Sequence, residues 1–175
     1  FVWTHHHILL DGWSLPLLLQ EVFALYEGFK RGAEPYLPPP RAYKEYIGWL
    51  GQQSRAEAEA YWRRALAGFT TPTPLTVDRP TGERGYGQLS THLDAELTAR
   101  LQAVARQQQL TLNTLVQGAW ALLLSRYSGE QDVLFGATVS GRPAELPGVE
   151  SMVGLFINTL PVRARIDPEQ PLGDW

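Results

Sequence analysis

Leu15, Leu18, Leu19, Val22, Phe23, Tyr26 and Phe29 recur at intervals of three and four. That is the spacing of one helical face, and it predicts a helix from Ser14 to Arg31. Residues 1–6 before it carry β-favouring Phe, Val, Trp and Thr and predict the end of a buried strand. Asp11-Gly12 predicts a sharp turn between the two, with Ser14 as N-cap and Pro16 in the tolerant first turn. "RGAEPYLPPP" (31–40) cannot continue a helix and predicts an extended connector. Two helices follow over 42–53 and 54–67. The Pro-, Gly- and Thr-rich stretch 70–87 marks a lobe boundary. Residues 88–93 alternate Leu89, Thr91 and Leu93 against Ser90 and His92, predicting a short strand. Amphipathic helices are predicted over 95–109 and 112–127. "DVLFGATVSGR" (132–142) reads as a buried strand entering a glycine turn, and a further strand begins at Asn158. Strands separated by helices predict an α/β sandwich with helix-covered sheets.

Composition narrows the function classes. With 175 residues, 44% apolar and 19% charged, the chain can bury a core. A formal net charge of −3 gives no basis for a nucleic-acid or membrane-surface partner. There are no cysteines, so disulfides, thiolate catalysis and thiolate metal sites are excluded, and the expected location is cytoplasmic. No apolar run reaches the roughly 20 residues that span a bilayer. The chain opens in Phe1-Val2-Trp3 without an initiating Met and closes on Leu172-Gly173-Asp174-Trp175. Native domain ends tend to be polar, so the expectation is a piece of a longer polypeptide.

Three of the four histidines, His5, His6 and His7, stand at the predicted strand end, the last of them four residues before Asp11. A catalytic zinc needs three converging ligands, whereas consecutive strand residues point to opposite faces, and no HExxH motif supplements them. A histidine in an apolar strand is commonly a satisfied core residue. A strand end before a helix is also where open α/β sheets place reactive groups. An imidazole titrates near neutrality and can take a proton directly from an attacking nucleophile. That chemistry suits transfer of an activated acyl group to an amine or hydroxyl without a covalent enzyme intermediate. Asp11, charged at a buried turn, needs an arginine or several N–H groups, and its expected work is to hold the turn that aims His7.

"HHILLDG" (6–12) resembles the HHxxxDG signature of the condensation domains of non-ribosomal peptide synthetases. "RAYKEYIGWL" (41–50) is similar to that family's Y-x-D-Y-x-x-W segment, with Glu45 where Asp is usual. "AYWRRALAG" (60–68) resembles its YW-x-x-x-L segment. "VGLFINTLPVR" (153–163), preceded by "SGRPAELPGVE", resembles its I/V-G-x-F-x-N-T-x-x-x-R motif. The segments stand in the family's order and span essentially the whole chain, which covers well under half of such a domain.

The resemblance implies a chloramphenicol-acetyltransferase-like, two-lobed α/β sandwich of which only part is present. Residues 1–70 would be the C-terminal part of the first lobe, 71–87 a connector, and 88–175 the N-terminal part of the second. It implies amide-bond formation, with His7 deprotonating or positioning the acceptor amine as it attacks a donor thioester. His6 would be structural. Asp11 would form a salt bridge with an arginine outside this chain, and Gly12 would permit a tight turn and close approach to substrate. Gly154, Asn158 and Thr159 would lie in the second lobe near the site. No metal or directly bound cofactor is expected. Phosphopantetheine arms of upstream and downstream carrier domains would deliver both substrates, and an adenylation domain of the same polypeptide would activate them. An epimerisation domain, a stand-alone acyltransferase of the same fold and a degenerate docking platform are the alternatives. A heterocyclisation domain would replace the histidines by D-x-x-x-x-D, which is not seen. The isolated chain is expected to aggregate or be molten, and to show no turnover.

Overall fold

The computed structural model describes residues 2–33, 35–75 and 85–175. The elements in chain order are α1 (Ser14–Lys30), α2 (Tyr43–Gly51), α3 (Arg55–Ala65), α4 (Ala95–Gln107), α5 (Leu112–Ser128), β1 (Asp132–Val139), a 3-10 turn (Val149–Ser151) and β2 (Asn158–Arg165). The five helices and both later strands agree with the periodicity to within a few residues. Their ends have local causes. The Asp94 carboxylate accepts the Leu97 N–H at 2.7 Å to start α4. Thr111 does the same for Thr114 at 3.2 Å before α5, which ends at Gly129 in the left-handed region (φ 78°).

The strands expected over 1–6 and 88–93 do not form among the described residues. Residues 2–6 and 88–93 pair with no strand among the described residues, and Leu89 is 97% exposed. Alternation tells which face a strand would bury; it does not supply a ladder partner. β1 and β2 do pair, as a two-stranded sheet. The Ile166 N–H donates to the Gln131 carbonyl at 2.7 Å, and Gly141 backs onto the Phe156 carbonyl. The start of β1 thus meets the end of β2, and the pair is antiparallel.

The chain forms two compact units, Phe1–Trp62 with Ala137–Leu160, and Arg63–Gly136 with Pro161–Trp175. Residues 137–160 therefore group with the first 62 rather than with the rest of 88–175. Residues 76–84 of the expected connector lie outside the described residues.

The first unit is built around Leu146, Val149, Met152 and Phe156, covered by Tyr43, Tyr46 and Trp49. These three aromatics recur at i, i+3 and i+6 on one face of α2. Tyr43 meets Phe156 edge-on at 5.1 Å between centroids, and Tyr46 lies 4.6 Å from the same ring.

In the second unit α4 packs on α5, and Ala121, Leu124 and Val133 are covered by Phe135, Ala164, Ile166 and Trp175. Arg163 organises its edge. Nε and Nη2 donate to the two Asp132 oxygens at 2.8 and 2.6 Å, and Nη1 donates to the carbonyls of Ala65 (3.0 Å) and Ala67 (2.8 Å). A planar fork can serve a carboxylate and a helix end at once, which an ammonium cannot. No helix among the described residues is long and apolar enough to cross a membrane.

Candidate functional site

The first unit contains every residue singled out as a candidate. His6 and His7 sit in a turn closed by the Leu9 N–H donating to the His6 carbonyl at 3.0 Å. The His6 Nδ1 accepts the Ile8 N–H at 3.1 Å, which assigns its proton to Nε2. His7 is exposed and has no hydrogen bond to the described residues, so both ring nitrogens are open to a ligand. His5 stacks loosely on Trp3, 5.0 Å between centroids.

Behind this turn lies a buried polar node. Asp11 and Ser14 are 1% and 0% exposed. Asp11 Oδ1 accepts the Ser14 N–H at 3.1 Å and lies 3.3 Å from Nη2 of Arg142, while Oδ2 accepts the Phe156 N–H at 3.1 Å. The Asp11 N–H donates to the Gly154 carbonyl at 3.1 Å. Ser14 Oγ accepts the Gly154 N–H at 3.1 Å, and its own proton has two acceptors at 3.0 Å, Asp11 Oδ1 and the Gly154 carbonyl. Burial pushes the Asp11 carboxyl up. The Phe156 N–H, the Ser14 hydroxyl and N–H, and the Arg142 guanidinium outweigh it and hold the group below the ordinary carboxylate range.

Three expectations are corrected here. The arginine that pairs with Asp11 is Arg142, within this chain, in the "SGR" that follows β1. Ser14 is not the N-cap; Trp13 holds that position, with helical φ −71° and ψ −30°, and makes no side-chain cap bond. Ser14 is instead the first helical residue, and its hydroxyl is spent on Gly154 and Asp11. Gly12 has no positive φ, and a Cβ there would meet open space, so the turn itself does not require glycine.

Arg142 is fixed from several sides. Nη1 donates to the carbonyls of Val149 and of Met152, the latter at 2.9 Å. Its guanidinium carbon stands 3.9 Å from the Phe156 ring centroid and 5.8 Å from that of Trp13, whose indole N–H donates to the Glu150 carbonyl at 3.1 Å. The charge of Asp11 is thus neutralised inside an aromatic sleeve.

Gly154 is the one glycine in the group whose size matters. A Cβ there would overlap the Tyr43 ring. The Tyr43 hydroxyl donates to the Leu155 carbonyl at 2.6 Å. Burial pushes its phenol up, as do Tyr46 and the Asp11 charge, so it stays a donor at neutral pH. Glu45, the departure from Asp, pairs with Arg41, which also donates to the Pro147 carbonyl. Asn158 and Thr159 open β2 on the exposed side, with the Asn158 Oδ1 accepting the Thr159 N–H at 2.8 Å. Among the described residues no three of His, Asp and Glu converge as metal ligands. The arrangement offers a free imidazole on a short turn whose base is locked into the "VGLF" segment.

Sequence reasoning missed Arg142, Phe156, Trp13 and Tyr43 as members of this node. The signal for Arg142 was present. A buried carboxylate requires a cation, and an arginine follows directly on a strand-end glycine.

Comparison with known proteins bears on the whole chain. The family model of the condensation domain matches residues 1–175. One of the linear gramicidin synthase proteins of Brevibacillus parabrevis is 53% identical over 180 residues, covering 100% of this chain and 4% of that protein. The X-domain from teicoplanin biosynthesis superposes with a TM-score of 0.75 at 28% identity, over 97% of this chain and 40% of that one. The first condensation domain of the calcium-dependent antibiotic synthetase gives 0.73 at 23% identity, again over 97% and 40%, a likeness of fold. The chain therefore has the expected α/β fold of these domains and spans about two-fifths of the solved ones.

Proposed function

The chain belongs to the condensation-domain family, and from that premise we propose that it carries the histidine centre of a peptide-bond-forming domain in non-ribosomal peptide synthesis. The amine of an aminoacyl group attacks the thioester carbonyl of an upstream acyl or peptidyl group. A C–N bond forms, the C–S bond breaks, and one proton moves from the amine to the departing thiolate. His7 is the group that accepts or steers that proton, as general base or positioning residue. The observation that carries this is the exposed His7 imidazole, without a hydrogen bond to the described residues, on a turn whose base, Asp11, is buried and held on both oxygens. A side chain meant only for packing would be buried; one meant for chemistry needs an open ring on a rigid base.

Both substrates arrive as thioesters on the phosphopantetheine arms of carrier domains, with an adenylation domain of the same polypeptide supplying the activated acceptor. The length of the gramicidin synthase protein, of which the match is 4%, favours such an assembly over a stand-alone acyltransferase. The enzyme works in the cytoplasm. Asn158 and Thr159, exposed at the start of β2, face the substrate side, and Gly12 leaves room for the substrate's backbone beside the histidine turn.

The test is His7→Ala in the complete domain, assayed for single-turnover amide formation between loaded carriers. A loss of about 100-fold or more, with carrier docking retained, is expected. A wild-type rate overturns the assignment.

A further inference from the structure

The bond from Tyr43 to Leu155 and the bond from Phe156 to Asp11 are two ends of one object. The Leu155 carbonyl and the Phe156 N–H belong to the same peptide group. That group is planar and trans, so its oxygen and its hydrogen point in opposite directions and turn together. The Tyr43 hydroxyl grips the oxygen at 2.6 Å, and Asp11 Oδ2 grips the N–H at 3.1 Å. Rotation of this plane away from Tyr43 withdraws the N–H from Asp11.

We propose that Tyr43 is a positioning residue for the histidine turn, acting through the Leu155–Phe156 peptide plane on Asp11. This rests on the assignment of His7 above. Around the plane, everything else is already fixed. The preceding residue, Gly154, is clasped at its N–H by Ser14 and at its carbonyl by the Asp11 N–H. The following side chain, Phe156, is 1% exposed and packed between Tyr43, Tyr46 and the Arg142 guanidinium. The Leu155 carbonyl is the point at which α2 reaches this segment by a hydrogen bond. Hydrogen bonds in series across an amide polarise one another, so the phenol also strengthens the N–H that Asp11 accepts. The helix of the Y-x-x-Y-x-x-W segment thereby acts on the HHxxxDG turn from which it is more than thirty residues distant in sequence.

Tyr43→Phe isolates the effect, because it keeps the ring that fills the cradle at Gly154 and removes only the hydroxyl. The experiment uses the complete domain, with donor and acceptor carriers each acylated by its own adenylation domain from a mixture of the twenty proteinogenic amino acids. Acceptor concentration is varied to separate kcat from KM. Expected is a fall in kcat of about two- to tenfold with KM for the acceptor carrier unchanged. Amide hydrogen exchange at Phe156 should quicken while the melting temperature stays within a degree or two of wild type. A wild-type kcat, a change confined to KM, or unchanged exchange at Phe156 overturns the proposal. Tyr43→Trp, which fills the space without a hydroxyl at that point, should not restore kcat, and restoration counts against it. His7→Ala in the same assay separates the two claims. If His7→Ala keeps its rate while Tyr43→Phe loses rate and Phe156 protection, the proton-transfer role of His7 falls and the clamp stands.

Discussion

The Arg142 guanidinium lies 3.3 Å from Asp11, with side-chain exposures of 5% and 1%. The two residues are 131 positions apart, and their contact fastens the start of α1 to the segment between β1 and β2. Burying two charges is costly, and mutual attraction offsets the cost only if the remaining donors and acceptors are filled. Here they nearly are, by the Val149 and Met152 carbonyls on one side and the Ser14 and Phe156 N–H groups on the other. Among the described residues, Nε of Arg142 is the side-chain atom buried without a partner.

Removing the arginine should therefore be severe. Arg142→Met in the complete domain leaves Asp11 as a buried, uncompensated carboxylate, and a loss of about 3–5 kcal/mol is expected from the shift in urea midpoint. Arg142→Lys should recover little, because one ammonium cannot serve Asp11, Val149 and Met152 in the geometry of a planar fork. The double variant with Asp11→Leu should not return to wild type either, since the Phe156 N–H would then be buried without its acceptor. Full recovery in the double variant would show that the ion pair alone matters.

Asp11 also sets a pH dependence. Its carboxyl is held below its ordinary value of 3.8 in the folded state. The stability it contributes is complete above that value. As pH falls, the unfolded state takes up the proton first, and the contribution drains away through the lower, folded pKa. Asp11→Asn lacks this dependence. The stability gap between wild type and Asp11→Asn should be widest near neutrality and should narrow progressively as pH falls below about 4. Glu45 and Asp132, likewise lowered, foremost by their arginine hydrogen bonds, act alike in both proteins and cancel from the difference. Urea midpoints of the two proteins between about pH 3 and 7 measure the gap; a constant gap would remove Asp11 from the acid transition.

The helices were legible because their apolar spacing is a local property. Leu15 to Phe29 reports α1 without any knowledge of what lies beside it. The failures concern partners. Residues 88–93 alternate correctly yet find no ladder among the described residues, and Ser14 has the right chemistry for a cap but is drawn inward by Gly154, 140 positions away. The need of Asp11 for a cation followed from its charge and burial, whereas the identity of Arg142 depended on how the chain returns after β1. The histidines ahead of Asp11 were legible as candidates; the Tyr43–Leu155 and Phe156–Asp11 bonds behind them were not, because these run through a backbone plane that no side-chain pattern encodes.

The apolar stripe of α1 has a consequence for handling the segment alone. Leu19, Val22, Phe23, Tyr26 and Phe29 follow one helical face and are all exposed. A contiguous apolar face of this kind on an isolated chain promotes association. Residues 1–175 expressed alone should aggregate or bind a hydrophobic dye strongly, and should give no amide product with loaded carriers. A monomeric, cooperatively unfolding protein in analytical ultracentrifugation and urea titration would contradict this.

Two glycines near Asp11 should respond differently to the same change. At Gly154 an added methyl has no room, because the Tyr43 ring occupies its place and that ring is held at its hydroxyl and against Phe156. Gly154→Ala must push α2 away or rotate the Leu155 plane, and a loss of about 1–3 kcal/mol is expected, as for overpacking elsewhere. At Gly12 the methyl meets nothing and the backbone is not in the left-handed region. Gly12→Ala should leave the urea midpoint of the complete domain within about 0.5 kcal/mol of wild type. Its informative readout is the rate of amide formation. A folded Gly12→Ala domain with a raised KM for the loaded acceptor carrier would mean that substrate, not the turn, needs the space beside His7. A Gly12→Ala domain with wild-type kinetics would assign that glycine no role in binding.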